Sequence, residues 1–141
     1  MATITITKAD VIPTSNTVRN TGIAGEALEA GQFLYLKTSD SKWYKADATT
    51  LEKSGSGNPQ NLRMALADAA TNQPIVFAEP GSLIAIGTVV TRALWYVLSA
   101  TAGKMADHGD LTAGQYSVLM GYAVSTSQFL FSPYPTGLTI A

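Results

Sequence analysis

The sequence predicts an all-β protein: a small barrel or sandwich body with an extended N-terminal arm. Three observations carry this. The segment Ala2 to Thr7 alternates strictly, with Ile4 and Ile6 on one face and Thr3, Thr5 and Thr7 on the other, the period of a strand. Short apolar runs then recur at intervals of about 8–12 residues, divided by Gly and Pro turns, the spacing of a sandwich or barrel. Finally, strands do not alternate with helical patterns as a parallel βαβ sheet requires.

Taken in order, Pro13 and the polar run Thr14 to Thr17 form a linker, so residues 1–20 read as an arm loosely tied to the body. The body spans 21–132. Phe33 to Leu36 and Lys42 to Ala46 are strands of a hairpin turning at Ser39-Asp40-Ser41. Residues 49–61 are loop. Leu62 to Ala67 has helical propensity, but its length and flanking turns favour a strand. Strands are expected at Ile75–Ala78, Leu83–Ile86, Val89–Thr91 and Leu94–Leu98. Tyr116–Val124 should be the longest, with Gly121 as a bulge, and Gln128–Ser132 pairs back on it. The tail 133–141 begins Pro133-Tyr134-Pro135, which cannot continue a sheet interior. One echo runs through the chain: Leu28-Glu29-Ala30-Gly31-Gln32-Phe33 matches Leu111-Thr112-Ala113-Gly114-Gln115-Tyr116. A duplicated motif or two convergent turns explain it equally.

The 141 residues suit one domain and carry a formal charge of −1, with charged residues at 13%, about half the usual share. This gives neither a basic nucleic-acid footprint nor a polybasic membrane patch. Seventeen Thr and eleven Ser supply the polar surface instead, and cysteine is absent. The most apolar stretch, Leu83 to Ala100, is broken by Gly87 and Arg92 and falls short of the ~20 residues of a spanning helix. A protein made in the cytoplasm is expected.

Catalytic patterns are missing. The one histidine, His108, lies in Asp107-His108-Gly109-Asp110 and reads as a solvated turn rather than a base or metal site. Glu26 and Glu29 read as solvated loop charges. G-x-S-x-G, phosphate-loop and calcium-loop patterns do not occur. The expectation is a protein without catalytic residues, metal or cofactor. Trp43-Tyr44 and Trp95-Tyr96 each place one ring inward and one outward on a strand, and Trp and Tyr are frequent interface anchors. The arm residues Thr3, Ile4, Thr5, Ile6 and Thr7 can add as a strand to another protein's sheet, or pair with their own body as a first strand.

The run Gly25 to Leu36 followed by Lys42 to Ala48 resembles tailed-phage capsid decoration (cement) proteins. So do Met64 to Ala70, Leu83 to Gly87, Tyr96 to Lys104, Gly114-Gln115-Tyr116 and Gly121 to Val124. The resemblance covers roughly residues 22–132. It implies a β-barrel or β-tulip-like body on the outside of a virion capsid, with the major capsid protein as partner and the arm joining a capsid strand. It implies homo-oligomers, trimers ahead of dimers, and no catalytic residues; residues 49–61 exceed the family's usual connection. The rival expectation is a receptor- or glycan-binding module of a head fibre, with the outward rings as sugar platforms.

Overall fold

A computed structural model describes residues 3–55, 61–107 and 111–140. Its strands are β1 (Thr3–Ile4), β2 (Ile12–Pro13), β3 (Arg19–Ile23), β4 (Phe33–Lys37), β5 (Lys42–Lys45) and β6 (Leu62–Ala65). They continue with β7 (Pro74–Ala78), β8 (Ser82–Ala85), β9 (Trp95–Leu98), β10 (Met105–Asp107), β11 (Tyr116–Ala123) and β12 (Gln128–Thr139). One 3-10 turn, Lys8–Asp10, lies between β1 and β2. The fold is all-β. Seven strands form one antiparallel sheet in the order β1-β10-β9-β11-β12-β8-β2, and five form a second, β3-β7-β6-β4-β5.

The second sheet curls until its edges meet. Ala24, just past β3, bridges Trp43 on β5, and the Gly25 N–H donates to the Trp43 carbonyl at 2.8 Å. Alternation along these strands then makes two cores. Leu34, Trp43, Ala65, Ile75 and Phe77 point inside the curl. Phe33, Tyr35, Leu62 and Met64, their neighbours in sequence, point out of it against the inner face of the seven-stranded sheet, where Tyr96, Leu98, Met120, Phe129 and Phe131 meet them. Phe33 anchors that contact, with ring centroids 6.2 Å from Phe129 and 5.8 Å from Phe131. Such aromatic pairs add about 0.5–1.5 kcal/mol each beyond the area they bury.

The recurrent Ala-Gly motif is turn chemistry. Glu29–Gln32 and Thr112–Gln115 both close with a bond from the fourth N–H to the first carbonyl, at 3.2 and 3.1 Å. Their third residues, Gly31 and Gly114, stand at φ 90° and 85°, which a type II turn requires there. In each, the Gln Oε1 accepts the N–H of the turn's first residue at 2.9 Å. The same closure recurs at Thr101–Lys104 and Glu79–Ser82, and all four turns deliver the chain into a strand. They serve both sheets, so a shared turn accounts for the echo without duplication.

Several elements differ from expectation. Val89–Thr91 is not a strand, while Met105–Asp107 is one. Gly87 and residues 88–94 hold too few consecutive extended residues to pair, whereas the turn at Gly103 leaves Met105 aligned with Leu98. Of the arm, residues 3–4 and 12–17 are tied to the body. Thr3 and Ile4 pair with Ala106 and Met105, and Ile12 and Pro13 pair with Ala85 and Ile84. The Thr14 and Thr17 hydroxyls both donate to the Leu83 carbonyl, at 2.6 and 2.7 Å, which pins the linker. The tail is not separate either. β12 runs to Thr139 and is longer than β11. Beyond Phe131 its one described neighbour is β11, so Pro133 and Pro135 stand on an edge, the place where proline is tolerated.

Candidate interaction surface

The outer face of the seven-stranded sheet is built by register. Leu83 lies opposite Leu130, Leu130 opposite Tyr122, and Tyr122 opposite Trp95. These four side chains cross β8, β12, β11 and β9 in one row, on the face away from the core residues Ile84, Phe129, Phe131 and Tyr96. A second row carries Tyr134 opposite Leu119. Trp95 and Tyr122 touch, with centroids 5.0 Å apart. Trp95 is 45% exposed, Tyr134 63% and Leu138 69%, and Leu94 is exposed beside them. These four strands contain no Asp, Glu, Lys or Arg. A solvated antiparallel sheet normally alternates apolar with polar side chains; here the outward face carries large apolar side chains among the uncharged Gln128, Ser132 and Thr136.

Gly121 sets this arrangement. Between Leu119 and Gly121 the pairing with β9 slips by one residue, so Met120 and Gly121 together oppose Tyr96. Met120 turns into the core and Tyr122 is returned to the outside. Gly121 stands at φ 146°, and a Cβ there would lie 2.0 Å from the Leu130 carbonyl oxygen. The bulge therefore admits only glycine.

The residues singled out from sequence fall in different places. Of the two aromatic pairs, Trp95 is outward as expected. Tyr96 is 2% exposed in the core, where its Oη accepts the Thr91 N–H at 2.8 Å. Trp43 is 7% exposed and fills the curl of the second sheet against Phe77, at 4.8 Å between centroids. Its partner Tyr44 is half-buried. It packs against the main core and donates to Asp40 at 2.6 Å. That bond pushes the Tyr44 hydroxyl up to about 12 and holds Asp40 below the usual carboxylate range. Trp43 and Tyr96 are thus core residues, and in each pair the other ring is the more exposed one, Tyr44 half-buried and Trp95 outward.

The arm residues form a strap over the body. After the two paired residues of β1, Ile6 lies against Gly31, where a Cβ would approach its Cγ2 to 2.9 Å. Lys104 Nζ donates to Thr5 Oγ1 at 3.3 Å. Lys8 Nζ lies 3.0 Å from Glu29 and 3.1 Å from Asp68, with all three side chains more than half exposed. Hydrogen bonds to these carboxylates raise the Lys8 pKa, and the bonds from the Ala30 N–H and from Lys8 lower that of Asp68. A cavity of about 280 Å³ remains between the strap and the turns at Gly31 and Gly103.

Among the described residues two charged side chains are buried, Asp47 and Arg63. Arg63, 9% exposed, pairs with Glu79 at 3.2 Å and lies 5.3 and 5.7 Å from the rings of Trp43 and Phe77. It plugs the curled sheet. Glu26 is also structural, accepting the Lys45 N–H at 2.9 Å. His108, Gly109 and Asp110 lie outside the described residues, as do 56–60 of the long loop. Among the described residues no cluster of acidic side chains is placed to hold a metal ion, and no helix is long and apolar enough to cross a membrane.

Tyr122, Leu130, Tyr134 and Leu138 were not singled out from the sequence. Their signal was partly present: the even positions of β12 alternate Leu130, Tyr134 and Leu138 with Gln128, Ser132 and Thr136, so large apolar side chains recur on the face away from the core. No family model, curated protein or solved structure matches this chain.

Proposed function

We propose that this chain is a structural virion protein that binds the outer surface of a tailed-phage capsid and stabilises the expanded shell, without catalytic action. The observation that carries the reading is the uncharged aromatic row Trp95-Tyr122-Leu130-Leu83 across four strands. Apolar patches that persist in water mark docking surfaces, and a face without charge packs against a rigid shell with no ion to desolvate. The strap supplies a second contact, residues 3–7 joining a strand of the major capsid protein by main-chain bonds. A homo-oligomer, a trimer first, multiplies weak single contacts through effective concentration on the order of 10²–10⁴-fold.

The test mixes the protein with expanded and unexpanded empty shells from tailed phages and images bound density. Decoration of expanded shells that is lost in Trp95→Ser/Tyr134→Ser, with the variant still folded, supports the reading. Equal binding by the variant, or binding to none of the shells together with Trp95-dependent hits on a glycan array, overturns it.

A further inference from the structure

We infer that the slot beneath residues 4–8 accepts the N-terminal strap of a second copy of this chain, so that neighbouring copies are joined by strand exchange. The inference rests on the strap's geometry and stands apart from the capsid reading.

The slot is a strand acceptor. Its wall is β10, where Met105 and Ala106 are fully buried beneath β1. Its floor is the pair of turns at Gly31 and Gly103, which lack side chains and let a crossing strand lie close. Without a strand in place, the edge of β10 and these apolar side chains would face water.

The occupant's hold is weak. Among the described residues, two pairs form the ladder to β10. Ile4 and Ile6 are only half-buried, and an open pocket of about 280 Å³ runs alongside them past Gln32 and Lys104. The Lys8 ion pairs are exposed and screened by salt. Segments held this way open locally long before the fold does. The connection on the other side is the 3-10 turn Lys8–Asp10, which buries no residue and has no side-chain cap, and the chain is fixed again at Val11 in the main core and at Ile12 on β2, which pairs with β8. Opened at that turn, residues 3–10 reach about 26–29 Å, at roughly 3.3–3.6 Å per residue.

A second copy's strap is the occupant the slot is already shaped for. It brings the same Ile4, Ile6 and Lys8 to the same Met105, Gly31, Glu29 and Asp68, so every contact is reproduced and only the turn at 8–10 changes conformation. The chain's own strap competes at an effective concentration of order millimolar. Exchange therefore prevails where copies are crowded.

The chain has no cysteine, so single thiols report exchange cleanly. Thr3 lies directly opposite Ala106 in the ladder. Thr3→Cys and Ala106→Cys chains, made separately and mixed under mild oxidation, should form a mixed disulfide dimer several-fold faster than either forms homodimers. Its yield should rise with protein concentration toward the millimolar range and with added salt. Ile4→Cys with Met105→Cys repeats the measurement at the adjacent pair, which covers the case in which one variant fails to fold. Two results overturn the inference. In one, neither pair gives excess mixed dimer at millimolar protein while the Thr3→Cys/Ala106→Cys double variant closes within its own chain. In the other, the double variant does not close at all, which removes the strap from the slot.

Discussion

Replacing Gly121 with alanine should be among the most damaging single changes in the molecule. The added Cβ would meet the Leu130 carbonyl oxygen at 2.0 Å, the Phe129 ring at 2.9 Å and the Leu130 carbonyl carbon at 3.0 Å. Two of these atoms are backbone and cannot swing aside. Holding alanine at φ 146° costs about 1–3 kcal/mol by itself. Relieving the clash means parting β11 from β12 at Gly121–Phe131 and Tyr122–Leu130, at about 1 kcal/mol for each bond lost. The sum is about 3–5 kcal/mol, or roughly 10–15 °C in Tm for a chain this size. Gly114→Ala is the control. Its φ is also positive, at 85°, but nothing lies within 4 Å of the new Cβ, so only the local strain of about 1 kcal/mol applies. Thermal unfolding followed by circular dichroism reads both. If Gly121→Ala melts within about 2 °C of Gly114→Ala, the bulge is not where the register puts it, and the outward placement of Tyr122 beside Trp95 fails with it.

Four other changes test other parts of the structure. Glu79→Ala leaves the Arg63 guanidinium buried between Trp43 and Phe77, and should cost about 2–4 kcal/mol by urea titration, whereas Arg63→Met should cost about 1 kcal/mol or less because the hole is filled by apolar volume. Asp40→Asn should bring the Tyr44 hydroxyl down from about 12 toward the ordinary tyrosine value, seen as one of six tyrosines shifting in an ultraviolet pH titration. The strap should respond to pH in both directions. Asp68 has a lowered folded pKa, so its contribution is present above the ordinary carboxylate value and lost as pH falls through the folded one. Lys8 has a raised pKa, so its contribution is present at neutral pH and lost as pH rises through the raised value. Amide exchange at residues 5–8 should accordingly exceed its intrinsic pH dependence once pH falls below the ordinary carboxylate range, and Asp68→Asn should remove that excess. Trp95→Ser/Tyr134→Ser should change Tm by only a few degrees, because both rings are substantially exposed.

What the sequence revealed and what it hid divide along physical lines. The alternation of Ile4 and Ile6, the turn glycines and the short apolar runs are local signals, and they gave the all-β class, most strands and the Gly121 bulge. The curl of the second sheet is not local. It depends on Ala24 reaching Trp43 on a strand two turns further along the chain, and it turned Trp43 from a candidate anchor into a core residue. The extent of β12 was missed because Pro133 and Pro135 read as terminators. They terminate only pairing on their own side of the strand, and β11 pairs with the other. The aromatic row was missed because its four residues come from positions 83, 95, 122 and 130, which only register brings together.

The prolines sharpen the functional argument. The Phe131 carbonyl accepts the Gly81 N–H, so its main chain faces β8. Two and four residues on, Pro133 and Pro135 face the same way, toward an edge that β8 has already left, and neither has an N–H to offer. On the same side of the sheet, Pro13 sits on the terminal strand β2. That side is thereby blunted against indiscriminate pairing. The terminal strand without proline is β1, which belongs to the strap. A sheet with an apolar outer face needs this protection, because an open edge beside such a face would aggregate. Guarding one side of the sheet with proline leaves β1, at the other end, as the edge open to main-chain pairing. The proposed association would then fall on two features, the strap and the Trp95–Tyr122 row.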